Sequence, residues 1–238
     1  MKPILIIKAG STLKSIPRER GDFEDWIMAG MQLPETSFQV CDVVAGEQLP
    51  APEHISAILI TGSAAMVTDR LVWSEYSGAY LRGAAEREIP VLGICYGHQL
   101  LAHALGGAVD YHPDGREIGT TDVRLTAAVK TDPLFSDLPN EFPVHVTHRQ
   151  TVTRLPTGAE VLAENDFDSH QAVRFGKTVW GVQFHPEFAA DIIQFYLSER
   201  EQVLLDEGLD VVELRANVEA TPVAGKLLLR FAQLVSQL

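Results

Sequence analysis

Apolar positions in this chain fall into two periods that take turns. Ile4-Leu5-Ile6-Ile7, Ile55 to Ile60 and Pro90 to Ile94 are short apolar runs without polar alternation, as in strands buried on both faces. Ser37 to Val44 supplies a further strand. Helical spacing fills the gaps. It marks Phe23 to Met31, then Asp69 to Arg87 with Trp73, Tyr76, Tyr80, Leu81 and Ala84 on one side, then Leu100, Leu101, Ala104 and Leu105. The pattern predicts a three-layer α/β sandwich, a mostly parallel central sheet between helices, with any site at the carboxyl ends of the strands.

Gly106-Gly107 ends the third helix, and the period then shortens. Val109 to Tyr111, Thr121 to Leu125 and Val144 to Thr147 predict antiparallel strands beside the parallel core, and Thr178 to Phe184 one more strand. Residues 187–220 hold nine acidic and two basic side chains, which predicts a solvated helical face. Thr221-Pro222 is an N-cap and first-turn pair. Leu227, Phe231, Leu234 and Leu238 then form a stripe expected to pack on the sheet, the alternative being a partner-binding helix. One domain, 1–238, is expected, with a core over about 4–195 and an acidic helical extension over about 196–238.

Composition excludes some functions. With 19 basic and 32 acidic residues the net charge is −13, which speaks against a nucleic-acid-binding face. The first apolar run is too short for a signal segment or a membrane span, and the two cysteines, Cys41 and Cys95, suggest free thiols in a reducing compartment. The expectation is a cytoplasmic protein, with Cys41 structural and no membrane partner.

Chemistry concentrates where the run Pro90 to Ile94 turns directly into a helix. Gly93-Ile94-Cys95-Tyr96-Gly97 has the form of a nucleophile elbow, whose small residues two before and two after the nucleophile permit a tight bend. The thiol would meet a helix N-terminus, which favours thiolate. The alternative is a buried cysteine acting as a small hydrophobe. Of the eight histidines, His185 stands at a strand end in His185-Pro186-Glu187. In an extended backbone His185 and Glu187 point the same way, so the carboxylate can orient the imidazole. Together these predict a Cys95-His185-Glu187 relay for acyl transfer; without Cys95, a helix cap would serve as well. A second strand-end glycine, Gly62, and the residue after the nucleophile, Tyr96, could supply backbone N–H groups to an oxyanion.

Gly93-Ile-Cys-Tyr-Gly-His-Gln, paired with Phe184-His-Pro-Glu roughly ninety residues on, resembles the class I glutamine amidotransferases. The resemblance covers about residues 4–195. It implies a flavodoxin-like fold, a γ-glutamyl thioester on Cys95, and an oxyanion role for Gly62. It also implies that Gln99 and the segment Thr147, Arg149 and Gln150 bind the substrate. Here the sequence departs from the commoner forms, with Arg149 where a glycine is often found and Gln150 where an aspartate or aromatic is. Gly115-Arg116-Glu117-Ile118-Gly119 resembles a family segment and is assigned a structural role.

No zinc-type spacing is present. His145 and His148 would face opposite sides of a strand, and His98 and His103 are five apart on a helix, so neither a metal nor another cofactor is expected. Gly225-Lys226 does not complete a phosphate loop. The expected function is hydrolysis of the glutamine side-chain amide to glutamate and ammonia, by a free-standing domain or a subunit with a synthetase partner. The alternatives are a γ-glutamyl peptidase and, from another class, a non-catalytic regulatory protein.

Overall fold

The apolar runs assemble into the parallel half of one large sheet. The computed structural model describes residues 2–237, so Leu238, expected in the last apolar stripe, lies outside them. The strands are β1 (Ile4–Lys8), β2 (Phe38–Asp42), β3 (Ala57–Ile60), β4 (Val91–Ile94), β5 (Ala108–Tyr111), β6 (Glu117–Leu125), β7 (Glu141–His148), β8 (Gln150–Arg154), β9 (Glu160–Glu164), β10 (Ala172–Gly176) and β11 (Val179–Val182). The helices are α1 (Phe23–Met31), α2 (Val72–Glu86), α3 (Tyr96–Ala104), α4 (Ala190–Glu199), α5 (Glu201–Asp206), α6 (Val211–Ala216) and α7 (Pro222–Ser236).

Nine strands run in the order β2-β1-β3-β4-β11-β10-β9-β6-β7. The first five are mutually parallel, and the remaining four continue the sheet antiparallel. Alternation along β1 divides the core. Ile4 and Ile6 pack with Ile27 and Met31 of α1 and Leu227, Leu228 and Phe231 of α7. Leu5 and Ile7 pack on the other face with Leu81 and Ala84 of α2 and Leu100 and Leu101 of α3. Successive strand side chains point to opposite faces, so a run apolar at every position requires helices on both, and the three-layer α/β fold follows.

Several expectations change in detail. The buried face of α2 is Ser74, Ser77, Gly78, Leu81 and Ala84, while Tyr76 is 40% exposed. Small residues face α3 there because the two helices approach closely: Gly78 lies opposite Leu100 and Ala104. β5 does not join the main sheet but pairs with β8 in a separate two-stranded ribbon. The polar stretch before α1 is anchored: Asp22 caps Phe23 N–H at 2.8 Å, Asp25 returns a bond to Asp22 N–H at 2.9 Å, and Lys8 reaches Asp22 at 2.9 Å. Thr221 precedes α7 as expected, yet its side chain makes no capping bond.

The acidic segment is the largest correction. Ile192, Ile193, Tyr196, Leu197, Leu204 and Val211 form a third apolar cluster with Ile16, Phe23, Ile118 and Phe188. It is a packed cover over one end of the sheet, with its carboxylates outside apart from the buried one of Glu187.

Candidate active site

β4 passes into α3 through Cys95, whose φ of 50° and ψ of −99° put a non-glycine residue in a sparsely populated region. Such a conformation costs on the order of 1–3 kcal/mol and persists only where the surroundings enforce it. Here they do. A Cβ on Gly93 would lie 2.6 Å from the Gly97 carbonyl, and one on Gly97 would lie 2.6 Å from the Ile60 carbonyl oxygen. Cys95 N–H donates to Val182 O of β11 at 2.8 Å, fixing the turn to the neighbouring strand.

β11 runs parallel to β4, so the residues just past their ends meet. His185 Nδ1 lies 2.7 Å from Glu187 Oε1, both side chains buried, and Nε2 has no hydrogen-bond partner among the described residues. His185 N–H donates to His145 O at 2.8 Å. Two rings hold the imidazole: Phe188 stacks on it with centroids 4.0 Å apart, and Phe23 lies nearly parallel at 6.1 Å. Burial alone would push the Cys95 thiol up, but the facing His185 charge, with His148 beyond, holds it below its ordinary value. Burial likewise opposes charge on His185, and Glu187 with Cys95 overcomes it, raising the imidazole to about 10. Each group thus favours the charged form of the other.

Gly62 follows β3 beside this pair. A Cβ there would lie 3.0 Å from His185 Cε1, so glycine lets the backbone approach the ring without pressing on it. Tyr96 is the first residue of α3, and its N–H lies outside the helix's own ladder. Its hydroxyl is turned away to Ser74 at 2.5 Å.

The residues expected to bind substrate behave differently from one another. Thr147 places its carbonyl oxygen 3.9 Å from Cys95 Sγ. Gln99 donates to Gln150 O at 2.7 Å and to Gln183 Oε1 at 2.9 Å. Gln150 accepts from Val67 N–H at 3.0 Å and donates to Thr68 at 2.6 Å, so these two amides are engaged within the protein. Arg149 is exposed, its guanidinium 5.4 Å from the centroid of the Tyr111 ring.

Two cavities meet at Cys95. One, of about 80 Å³, is lined by Gln99, Tyr96, Arg116, Arg149 and Gln150. The other, of about 310 Å³, is lined by His185, Phe23, Tyr196, Lys14 and Thr12. Ser63, Ala64, Thr147 and Arg200 border both.

Four contributors escaped the sequence reading: Phe23, Phe188, Glu117 and Arg200. Phe188 directly follows Glu187, and Glu117 sits in the Gly115–Gly119 segment read as structural, so both had a local signal. Arg200 was one of two basic residues in an acidic run. Nothing in the periodicity of α1 distinguished Phe23 from a core residue.

Comparisons agree with this architecture. The family model described as glutamine amidotransferase class-I matches residues 35–194. A GMP synthase [glutamine-hydrolyzing] of Porphyromonas gingivalis is 36% identical over 181 residues, covering 74% of this chain and 32% of that protein. A GMP synthase [glutamine-hydrolyzing] subunit of Methanocaldococcus jannaschii is 39% identical over 107 residues, covering 44% of this chain and 55% of that one. The chain thus spans about a third or less of the full-length GMP synthases it matches, 22% in the Thermosipho africanus enzyme. The solved glutamine amidotransferase of Thermotoga maritima superposes over the whole of both chains with a TM-score of 0.78 at 24% identity, a likeness of fold. That of Methylobacillus flagellatus covers 100% of this chain and 93% of its own, with a TM-score of 0.75 at 25% identity.

Proposed function

The chain belongs to the class I glutamine amidotransferase family, and from that premise we propose that it hydrolyses the side-chain amide of a γ-glutamyl compound, glutamine being the reference substrate. Cys95 thiolate attacks the side-chain carbonyl carbon, and the oxyanion is met by the N–H groups of Gly62 and Tyr96. His185, oriented by Glu187, protonates the departing amine as the carbon–nitrogen bond breaks. Water, deprotonated by His185, then opens the thioester and returns glutamate and the free thiol.

The observation that carries this reading is the strained Cys95 backbone beside a buried His185–Glu187 pair 2.7 Å long. A purely structural cysteine has no need of either. Ammonia used elsewhere implies a synthetase partner, in keeping with the names of the relatives.

The test is release of glutamate and ammonia from glutamine by the purified chain, with Cys95→Ala as control. Turnover lost in the variant supports the reading. A wild-type protein that neither turns over γ-glutamyl substrates nor forms a thioester on Cys95 sinks it and leaves the non-catalytic alternative.

A further inference from the structure

Cys95 divides its surroundings into two unequal compartments, and their linings say which half of a substrate each receives. The group that protonates the leaving amine must face that amine, and His185 lines only the larger cavity. Gln99 and Gln150 line only the smaller one, on the acyl side. Resting on the hydrolytic reading above, we infer that the larger cavity is a leaving-group subsite for an amine much bigger than ammonia, with an apolar side chain and a carboxylate: an amino acid or short peptide in γ-glutamyl linkage.

Volume is the first argument. A water-sized product such as ammonia needs only about 15 Å³ of this kind of space. The compartment beside His185 offers about 310 Å³, within the range of ligand pockets, whereas the acyl side offers about 80 Å³.

Chemistry is the second argument. Phe23 and Tyr196 give the cavity aromatic walls, suited to an apolar side chain. Lys14 stands exposed at its rim. Glu199 also lines it, but its carboxylate accepts from the Ser15 hydroxyl.

Arg200 is the third. Its guanidinium carbon sits 4.7 Å from the centroid of the Tyr196 ring, and its Nη1 is buried without a hydrogen-bond partner among the described residues. A buried donor on a charged group is costly to leave unpaired. A guanidinium fork pairs bidentately with a carboxylate, the anionic group that an amino-acid leaving half carries. The substrate's leaving half would supply that carboxylate at the edge of the larger cavity.

The reaction balances as an ordinary hydrolysis. The bond from Cys95 Sγ to the side-chain carbonyl carbon forms, the bond from that carbon to nitrogen breaks, and the amino acid leaves with the proton from His185. Water then replaces sulfur and glutamate departs.

The experiment compares kcat/KM of the full chain for glutamine, γ-glutamyl-phenylalanine and γ-glutamyl-phenethylamide, the last lacking only the carboxylate, with Cys95→Ala as the blank. The expected order places γ-glutamyl-phenylalanine at least tenfold above glutamine. Arg200→Met should cost γ-glutamyl-phenylalanine at least tenfold and the phenethylamide clearly less, with Arg200→Lys between wild type and Met. Folding of each variant is checked by thermal melting. Should glutamine be turned over faster than γ-glutamyl-phenylalanine, the subsite is overturned while the hydrolytic reading stands. Equal losses on both γ-glutamyl substrates in Arg200→Met overturn the carboxylate contact. If no substrate yields glutamate and Cys95 forms no thioester, the underlying reading fails and the subsite with it.

Discussion

Glu117 of β6 and His148 of β7 face each other across the sheet, with Glu117 Oε2 2.8 Å from His148 Nε2, beneath the segment that borders Cys95. His148 Nδ1 lies 3.0 Å from the Gln150 carbonyl oxygen, so each ring nitrogen meets an acceptor and the ring carries both protons. Asn165 and Gln171 donate to the same carboxylate, at 2.5 and 2.7 Å. The charge so held is one of the influences that lower the Cys95 thiol.

Replacing Glu117 with Gln should therefore do two things. Stability should fall by about 3 kcal/mol, the scale for breaking a buried pair, in urea unfolding. The thiol pKa, read from the pH dependence of iodoacetamide alkylation, should rise. Burial works against charge on His148, but the Glu117 hydrogen bond and charge overcome it, so its folded value is raised. A raised histidine contributes stability that is full below its unfolded value of about 6.5 and lost as pH climbs through the folded value. Wild-type stability should decline as pH rises from about 6.5 through the raised folded value of His148, and Glu117→Gln should lose that component of the decline.

Activity should follow a plateau with two limbs. It should rise with pH as the lowered Cys95 thiol ionises, and fall on the alkaline side as the raised His185 loses its proton. The two apparent values belong to the coupled pair. In His185→Ala the thiol loses its counter-charge, and alkylation at neutral pH should slow by roughly tenfold, the effect of a one-unit rise in pKa.

Glu187→Gln keeps the size of the side chain but removes the charge that holds the imidazole. A loss of about 10³-fold or more in kcat is expected, with KM little changed, because orientation matters most at the transition state. An unchanged kcat would show that the stacked rings of Phe188 and Phe23 suffice.

Two glycine variants should move stability in opposite directions. Gly97→Ala drives a methyl to 2.6 Å from the Ile60 backbone and should cost about 1–3 kcal/mol, lowering Tm and disturbing the elbow. Gly83→Ala, within α2, meets only the mobile end of Arg87 at 3.2 Å and should stabilise by about 0.5–1 kcal/mol.

Sequence alone determined whatever depends on near neighbours. Unbroken apolar runs required a sheet covered on both faces, Phe23–Met31 appeared as a helix with the bounds it has, and Gly93, Cys95 and Gly97 specified the elbow within five residues. His185 and Glu187 pair at 2.7 Å, as two residues so near in the chain can. They do so across a turn past the end of β11, closed by Phe188 N–H on His185 O at 3.3 Å, and not along the extended backbone the sequence suggested. The tertiary structure decided what surrounds them. Phe23 reaches His185 across 162 positions and Arg200 reaches the cavity from the far end of the chain, contacts set by strand order and helix packing rather than by periodicity. The acidic segment misled for a physical reason. Its helices α5 and α6 have six residues each, under two turns, too short for an apolar stripe to stand out against the charges, although Leu204 and Val211 are buried. Glu117 stood in the Gly115–Gly119 segment assigned a structural role. Its partner was decided only when β6 and β7 paired in register and placed it opposite His148, because register between distant strands is a property of the assembled sheet.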